Sequence, residues 1–321
     1  MKCISRLIIV AIILFSLVNA GGCARIDEDF YSEWMRCISD ETLIIDTVIP
    51  GSHDAGSKGL LFFMDTQEST IYEQLKAGVR YFDMRAKYNT DDKLAMYHGA
   101  QTGALLSNVL DEIRTFIDAY PTEFLILDFQ HFEGNNYCTI DEQQIDVEAM
   151  ISAKLNPSEY ALKKPVDLSK LTMKDIRDKG ARYIIVWGRD NESALNKDYI
   201  FPREEYLCSP YNKPEHQEDF ERLRNYFPNY YALNDGTKFF VLQCQPTSGN
   251  IKAFNDTHLG EMNAYVASIA DDEELLNKTN IIMRDFIVSS PDVIRTILRL
   301  NLDKNTIDNK YIKTFEINLD N

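Results

Sequence analysis

The stretch Ile49-Pro50-Gly51-Ser52-His53-Asp54-Ala55-Gly56 decides how this chain is read. It follows an apolar run, Leu43 to Ile49, which reads as a strand, and Pro50-Gly51 reads as a tight turn that stops the ladder. His53 and Asp54 are then expected at the strand's carboxyl end, the edge where α/β barrels and open α/β sheets place chemistry. Three later segments have the same form, an apolar strand ending in polar residues. They are Tyr81-Phe82-Asp83-Met84-Arg85, Ala95-Met96-Tyr97-His98-Gly99 and Ile281-Ile282-Met283-Arg284-Asp285-Phe286. The expectation is that these four strand ends meet.

Working outward, strand-like and helix-like segments alternate from Leu43 to the last helix. Thr70-Ile71-Tyr72-Glu73 is a capping box, and Gly78 is a helix stop. Leu105, Val109, Ile113 and Phe116 recur at helical spacing, which predicts an amphipathic helix over 104–119, ended by Pro121. Phe124–Phe132, Tyr183–Gly188, Phe239–Gln245 and Asn280–Phe286 read as strands. Helices are expected near 143–155, 172–180 and 254–270. Ser290-Pro291 opens the last one, with an N-cap followed by proline at the first helical position. Residues 189–236 are the least regular part, with one helix near 216–226 and one weak strand. Such alternation predicts a mostly parallel sheet with helices outside, an α/β fold best described as a distorted (β/α)8 barrel in a single domain. No Gly-x-Gly-x-x-Gly is present, which argues against dinucleotide binding.

The chain has 321 residues and a net charge of −16. Lys2 and Arg6 precede the apolar run Leu7–Val18, and Val18-Asn19-Ala20 supplies small residues for cleavage, so 1–20 reads as a secretory signal peptide. Residues 21–40 read as an N-terminal extension and 41–321 as the barrel domain. An acidic chain is a poor partner for nucleic acid and anionic lipid, so membrane contact is expected to be transient. The expected locale is extracellular and the expected state a monomer. Cys23, Cys37, Cys138, Cys208 and Cys244 remain after cleavage; Cys244 is expected as a buried thiol and the other four as two disulfides. Asn191, Asn255 and Asn277 head glycosylation sequons. No Cys-x-x-Cys or His-x-x-x-His spacing suggests zinc.

Phosphodiester cleavage needs a base for the nucleophile, an acid for the leaving oxygen and positive charge on the phosphate. His53 and His98, with Asp54 and Arg85 on the same rim, could supply all three. Each has a blander reading as well. A lone strand-end histidine is more often structural, Asp83 and Arg85 could be an internal salt bridge, and Asp285 could cap a turn. Asp83 and Arg85 are two apart and so share a strand face. A buried Asp near a His typically orients the ring and stabilises its cation.

Together with Gly78-Val79-Arg80, Pro121-Thr122-Glu123 and the strand that follows it, these motifs resemble the X-domain of phosphatidylinositol-specific phospholipase C. The resemblance covers about 40–135 and, more loosely, 239–300. It implies a distorted TIM barrel with His53 as general base on the inositol 2-hydroxyl and Asp285 holding His53. His98 would be the general acid assisted by Asp54, and Arg85 would neutralise the phosphate. It implies no metal and no cofactor, since the metal-free members carry Arg where calcium-dependent ones carry a carboxylate. Gln130 and His131 stand where the bacterial members use an inositol-binding Lys. Arg182 or Arg177 is expected to replace their Arg, and Gln243-Cys244-Gln245-Pro246 lacks their Asp and Tyr. Trp187 is expected in the core rather than in a pocket. The competing readings are a catalytically weak or inactive extracellular barrel that binds lipid or protein, and a metal-dependent phosphodiesterase of another barrel family.

Overall fold

In a computed structural model we describe residues 29–61, 64–134, 138–188, 196–211, 219–245 and 250–320. The expected signal peptide, Cys23 and the sequon at Asn191 lie outside them. Eight parallel strands follow one another around a curled sheet. They are β1 (Ile49–Ser52), β2 (Tyr81–Tyr88), β5 (Leu125–Glu133), β6 (Tyr183–Trp187), β7 (Ile200–Pro202), β8 (Leu207–Cys208), β9 (Phe239–Gln243) and β10 (Ile281–Arg284). Their spatial order is β7-β6-β5-β2-β1-β10-β9-β8. β7 and β8 stand at the two ends of that order, joined by the single turn Arg203–Tyr206. The curled sheet bears out the distorted barrel.

The opening stretch behaves differently from its sequence reading. Pro50 and Gly51 lie inside β1, paired with Ile282 and Met283 of β10. Proline lacks only a donor, and its carbonyl still accepts from Arg80 N at 3.0 Å. A Cβ on Gly51 would lie 3.0 Å from both Ile281 and Tyr81, so glycine lets the neighbouring strands close in. The run before it is not a strand: Ile44–Asp46 forms a 3-10 turn. Two distant side chains satisfy its exit, Asn301 bonding both polar groups of Val48 and Asn280 bonding Thr47 O. Sequence spacing cannot reveal such partners.

β3 (Leu94–His98) is also not a barrel strand. It runs antiparallel to β2 and turns at Gly99 (φ +53°) into β4 (Gln101–Leu105), which the apolar pattern had not marked. His98 therefore enters from a hairpin folded over the mouth.

Outside the sheet, α1 (Ile71–Lys76) begins with the expected capping box at Thr70. α2 (Leu106–Ala119) buries Val109, Ile113 and Phe116 as its spacing predicts. α3 (Ile140–Leu155) covers β5 and β6, where Trp187 is buried against Phe129 and Phe132 and donates to Gln144. α4 (Met173–Asp178) and α5 (Phe220–Arg224) follow, then α6 (Phe227–Ala232) and α7 (Ile251–Ser268). α8 (Glu273–Lys278), α9 (Pro291–Asp303) and α10 (Ile312–Asp320) complete the shell.

The expected disulfides are absent among the described residues. Cys37 lies in a 3-10 turn, Cys138 in the bend before Ile140 and Cys208 at the end of β8, and Cys244 is buried as expected, its thiol pushed up to about 12 by burial. Asn255 is buried on α7 and so cannot carry a glycan in the folded chain, whereas Asn277 is exposed.

The amino-terminal residues are fastened beneath the sheet. Arg80, fully buried before β2, donates to Glu123 at 2.8 Å and to the carbonyls of Tyr31, Ser32, Leu75 and Val79. Glu123 also accepts from Met35 N. Burial lowers the Arg80 pKa and raises that of Glu123, so desolvation outweighs their attraction, and the bond holds geometry rather than adding net stability. Glu123→Leu leaves a buried cation unpaired and is expected to cost about 3–5 kcal/mol, read as a lowered urea midpoint. Arg80→Met with Glu123→Leu should recover most of that loss.

Candidate active site

His53 follows β1 directly, and its ring spans the barrel mouth. Nδ1 lies 2.7 Å from Asp285 Oδ1, at the end of β10. A carboxylate oxygen only accepts, so Nδ1 carries the proton. Arg85 Nη2, a donor, lies 3.0 Å from His53 Nε2, an arrangement that suits the neutral ring. Arg85 also contacts Asp54 Oδ1 at 2.5 Å and Asp83 Oδ2 at 2.8 Å. Both readings of the Asp83–Arg85 pair thus hold: it is an internal salt bridge, and it sits in the site.

Asp54 is the meeting point. Its Oδ2 lies 3.4 Å from His53 Nε2 and 3.5 Å from His98 Nε2. These two contacts bound the separation of the nitrogens at about 7 Å. The expected shared element between the imidazoles is therefore this carboxylate as much as the guanidinium. Asp54 adopts a left-handed backbone (φ +42°), as does Phe286 (φ +47°) just after Asp285. Asp tolerates that region; Phe does not do so readily, and such strain is typical of sites that aim side chains. Asp54 N donates to Asp83 Oδ2, which ties the turn to β2.

The electrostatics follow from three buried carboxylates. Burial alone would lower the His53 pKa, but the charges of Asp54 and Asp285 outweigh it and raise it from 6.5 to about 9. Protonation of Nε2 then requires Arg85 to release that nitrogen and remain on Asp54 and Asp83. Burial would also raise Asp83, yet Arg85 and then His53 hold it well below the usual carboxylate range. Asp285 moves upward because burial dominates there. The raised His53 pKa keeps the proton on Nδ1, and the upward shift of Asp285 opposes that only in part.

Of the expected head-group residues, Gln130 and His131 reach the mouth. β5 bulges opposite the step from Met84 to Arg85: Phe129 pairs with Met84 and His131 with Arg85, leaving Gln130 between them. Gln130 bonds Asp83, and His131 is exposed at the rim, its pKa lowered by partial burial and then by Arg85. Arg182 does not join them. It precedes β6, at the opposite end of the barrel, and donates to Pro121 O. Arg177, on α4, bonds Met35 O and Ile38 O at that end too. The cation that faces inward is Arg203, just after β7, with Nε 3.0 Å from both oxygens of fully buried Asp128. Tyr81 also donates to Asp128, at 2.7 Å. Tyr211 stands within electrostatic reach of Asp285 and Asp54, its hydroxyl pushed up to about 12 by burial first. Phe201-Pro202-Arg203 carries the same signature as the other strand ends, an apolar run stopped by a charge, and could have been found by it.

Among the described residues one set of side chains lies close enough to share an ion: His53, Asp54 and Asp83. Arg85 already bridges the three.

The profile of the PI-PLC X family matches residues 45–289. The chain belongs to that family. PI-PLC X domain-containing protein 3 of Danio rerio is 23% identical over 318 residues, covering 84% of this chain and 93% of that protein. A 1-phosphatidylinositol phosphodiesterase of Staphylococcus aureus is 28% identical over 134 residues, 39% of this chain and 41% of the relative. The corresponding enzyme of Listeria monocytogenes is 36% identical over 112 residues, 32% of this chain and 34% of the relative. The matches thus span less than half of these bacterial relatives. The fold is similar to the solved phosphatidylinositol-specific phospholipase C of Listeria monocytogenes, with a TM-score of 0.62 at 22% identity, covering 84% of this chain and 98% of that one. Among the described residues no helix is long and apolar enough to cross a membrane.

Asp285→Asn removes a negative charge beside His53, so the histidine's pKa should fall from about 9 toward its ordinary 6.5. Ring-proton NMR titration of His53 reads this directly. Because the folded pKa is raised, the associated stability is complete below about pH 6.5 and fades as pH climbs through about 9. Asp285→Asn should flatten that slope.

Proposed function

We propose that this chain cleaves phosphatidylinositol-type phosphodiesters by histidine acid–base catalysis, releasing diacylglycerol and an inositol 1,2-cyclic phosphate. The observation that carries the reading is the approach of two imidazole Nε2 atoms, from β1 and β3, to one Asp54 oxygen beside Arg85.

His53 Nε2 takes the proton of the inositol 2-hydroxyl, and that oxygen attacks phosphorus. His98 Nε2 gives a proton to the departing diacylglycerol oxygen as the P–O bond breaks. Asp285 fixes the His53 ring and stabilises its cation. Arg85 releases His53 Nε2 and, still held by Asp54 and Asp83, neutralises the charge that builds on the phosphate oxygens. Asp54 supports the acid. Asp83 keeps Arg85 aimed, a role the sequence reading had left as a salt bridge. Base and acid work together only where one ring is neutral and the other protonated, so the rate peaks between two limbs of pH. The inositol is bounded by Gln130, His131 and Arg203, a set that differs from the bacterial one and bears on head-group choice. A signal peptide at 1–20 would place the enzyme outside the cell, meeting its lipid at a membrane surface.

The test incubates the mature protein with mixed phospholipid vesicles, with and without chelator, and identifies the phosphorus-containing products. A cyclic inositol phosphate, formed equally with chelator, is the expected result. His53→Ala and His98→Ala should each lower the rate by about 10²–10⁴ while circular dichroism stays unchanged. Vesicles that bind the protein yet yield no diacylglycerol would show a non-catalytic lipid-binding barrel instead. Arg85→Lys retains charge but loses the fork that spans Asp54 and Asp83. It should lower the rate at least about tenfold and make no new demand for calcium.

A further inference from the structure

Residues 64–67, between β1 and α1, have no place in the scheme above, yet they bond the backbone of His53 and Asp54, the backbone flanking Asp285 and the ring of His98. Met64 O lies 2.7 Å from His98 Nδ1. Thr66 Oγ1 donates to His53 O or Asp54 O, each at 3.3 Å, and Thr66 O accepts from Phe286 N at 2.7 Å. Gln67 Nε2 donates to His53 O at 2.9 Å and Arg284 O at 3.1 Å, while its Oε1 accepts from Ile287 N. Thr66 and Gln67 are fully buried. Met64, Thr66 and Gln67 therefore hold the backbone on both sides of Asp285, the backbone at His53 and Asp54, and the ring of His98. The β3–β4 hairpin is tied to the strap through Leu61, which accepts from Met64 N at 2.7 Å and donates its own N–H to Gln101 Oε1 at 2.9 Å, and a Cβ on Gly99 would meet the Met64 methyl at 2.8 Å.

From this we infer that the strap is a positioning element that assigns the mobile proton of His98 to Nε2. A carbonyl oxygen has no hydrogen to give, so Nδ1 must be the donor in the Met64 contact. Nδ1–H is then permanent, and only Nε2 gains and loses a proton. Nε2 is the nitrogen that faces Asp54. The opposite tautomer would place two lone pairs 2.7 Å apart and would bury the transferable proton away from the mouth. Met64, Thr66 and Gln67 set the spacing between acid and base, because they bond the hairpin side on one edge and the β1–β10 edge on the other.

The inference rests on the acid role given to His98 above, but its first readout does not need activity. Nitrogen-15 NMR of the substrate-free mature protein, with histidine labelled, reports which ring nitrogen of neutral His98 bears hydrogen. Nδ1–H is expected, against the preference of free imidazole in water; Nε2–H or a mixture overturns the proposal. In Thr66→Val with Gln101→Ala, which loosens the strap but leaves every residue of the acid–base set in place, the Nδ1–H form should give way to a mixture. If the variant stays folded and its His98 signal is unchanged, the strap does not position the ring. On vesicles the same variant is expected to lose about tenfold in kcat with KM unchanged, a fraction of what a full general acid contributes. An unchanged kcat overturns the positioning role. Absence of lipid cleavage in the wild-type protein would refute the proposed function while leaving the tautomer result standing.

Discussion

Three carboxylates packed into one barrel mouth must be balanced, and the rest of the site is arranged around that requirement. Asp54, Asp83 and Asp285 are all buried, and buried carboxylates without partners are costly. Arg85 answers two of them and His53 the third. With both rings neutral the cluster is short of positive charge, which is why the carboxylates overcome burial and draw protons onto His53.

Much of this was legible in the sequence, because the residues gathered at the mouth announce themselves as polar stops at the ends of apolar runs. His53, Asp54, Arg85, His98 and Asp285 were all found by that signature, and they are brought together. The signature fails where long-range partners decide. Leu43–Ile49 is apolar enough for a strand, but Asn301 and Asn280, far along the chain, bond its backbone as a turn and shift the strand to Ile49. Pro50-Gly51 looks like punctuation, yet in a parallel ladder squeezed between Tyr81 and Ile281 the pair is a close-packing device.

The head-group side was harder to read, for a different physical reason. Strand β6 has one arginine before it and the barrel has two ends. Arg182 lies at the amino-terminal edge by a difference of five residues from the carboxyl end of the same strand. The cysteine count was equally ambiguous, since pairing depends on distances that folding sets and spacing does not record. Asp128 could have been inferred, as a charge within an apolar run demands a partner, but nothing local names Arg203 as that partner.

The break in the sheet between β7 and β8 lies on the far arc of the barrel from His53, Arg85, His98 and Asp285, which belong to β1, β2, the hairpin and β10. Chain length between Trp187 and Phe239 can therefore change without cutting the ladder that aligns them, and lengthening such a loop carries only a slowly rising entropic penalty. The fold is thus left with two separable halves: one that holds His53, Arg85, His98 and Asp285 together, and one, carrying Arg203 and Tyr211, whose connecting chain can vary in length.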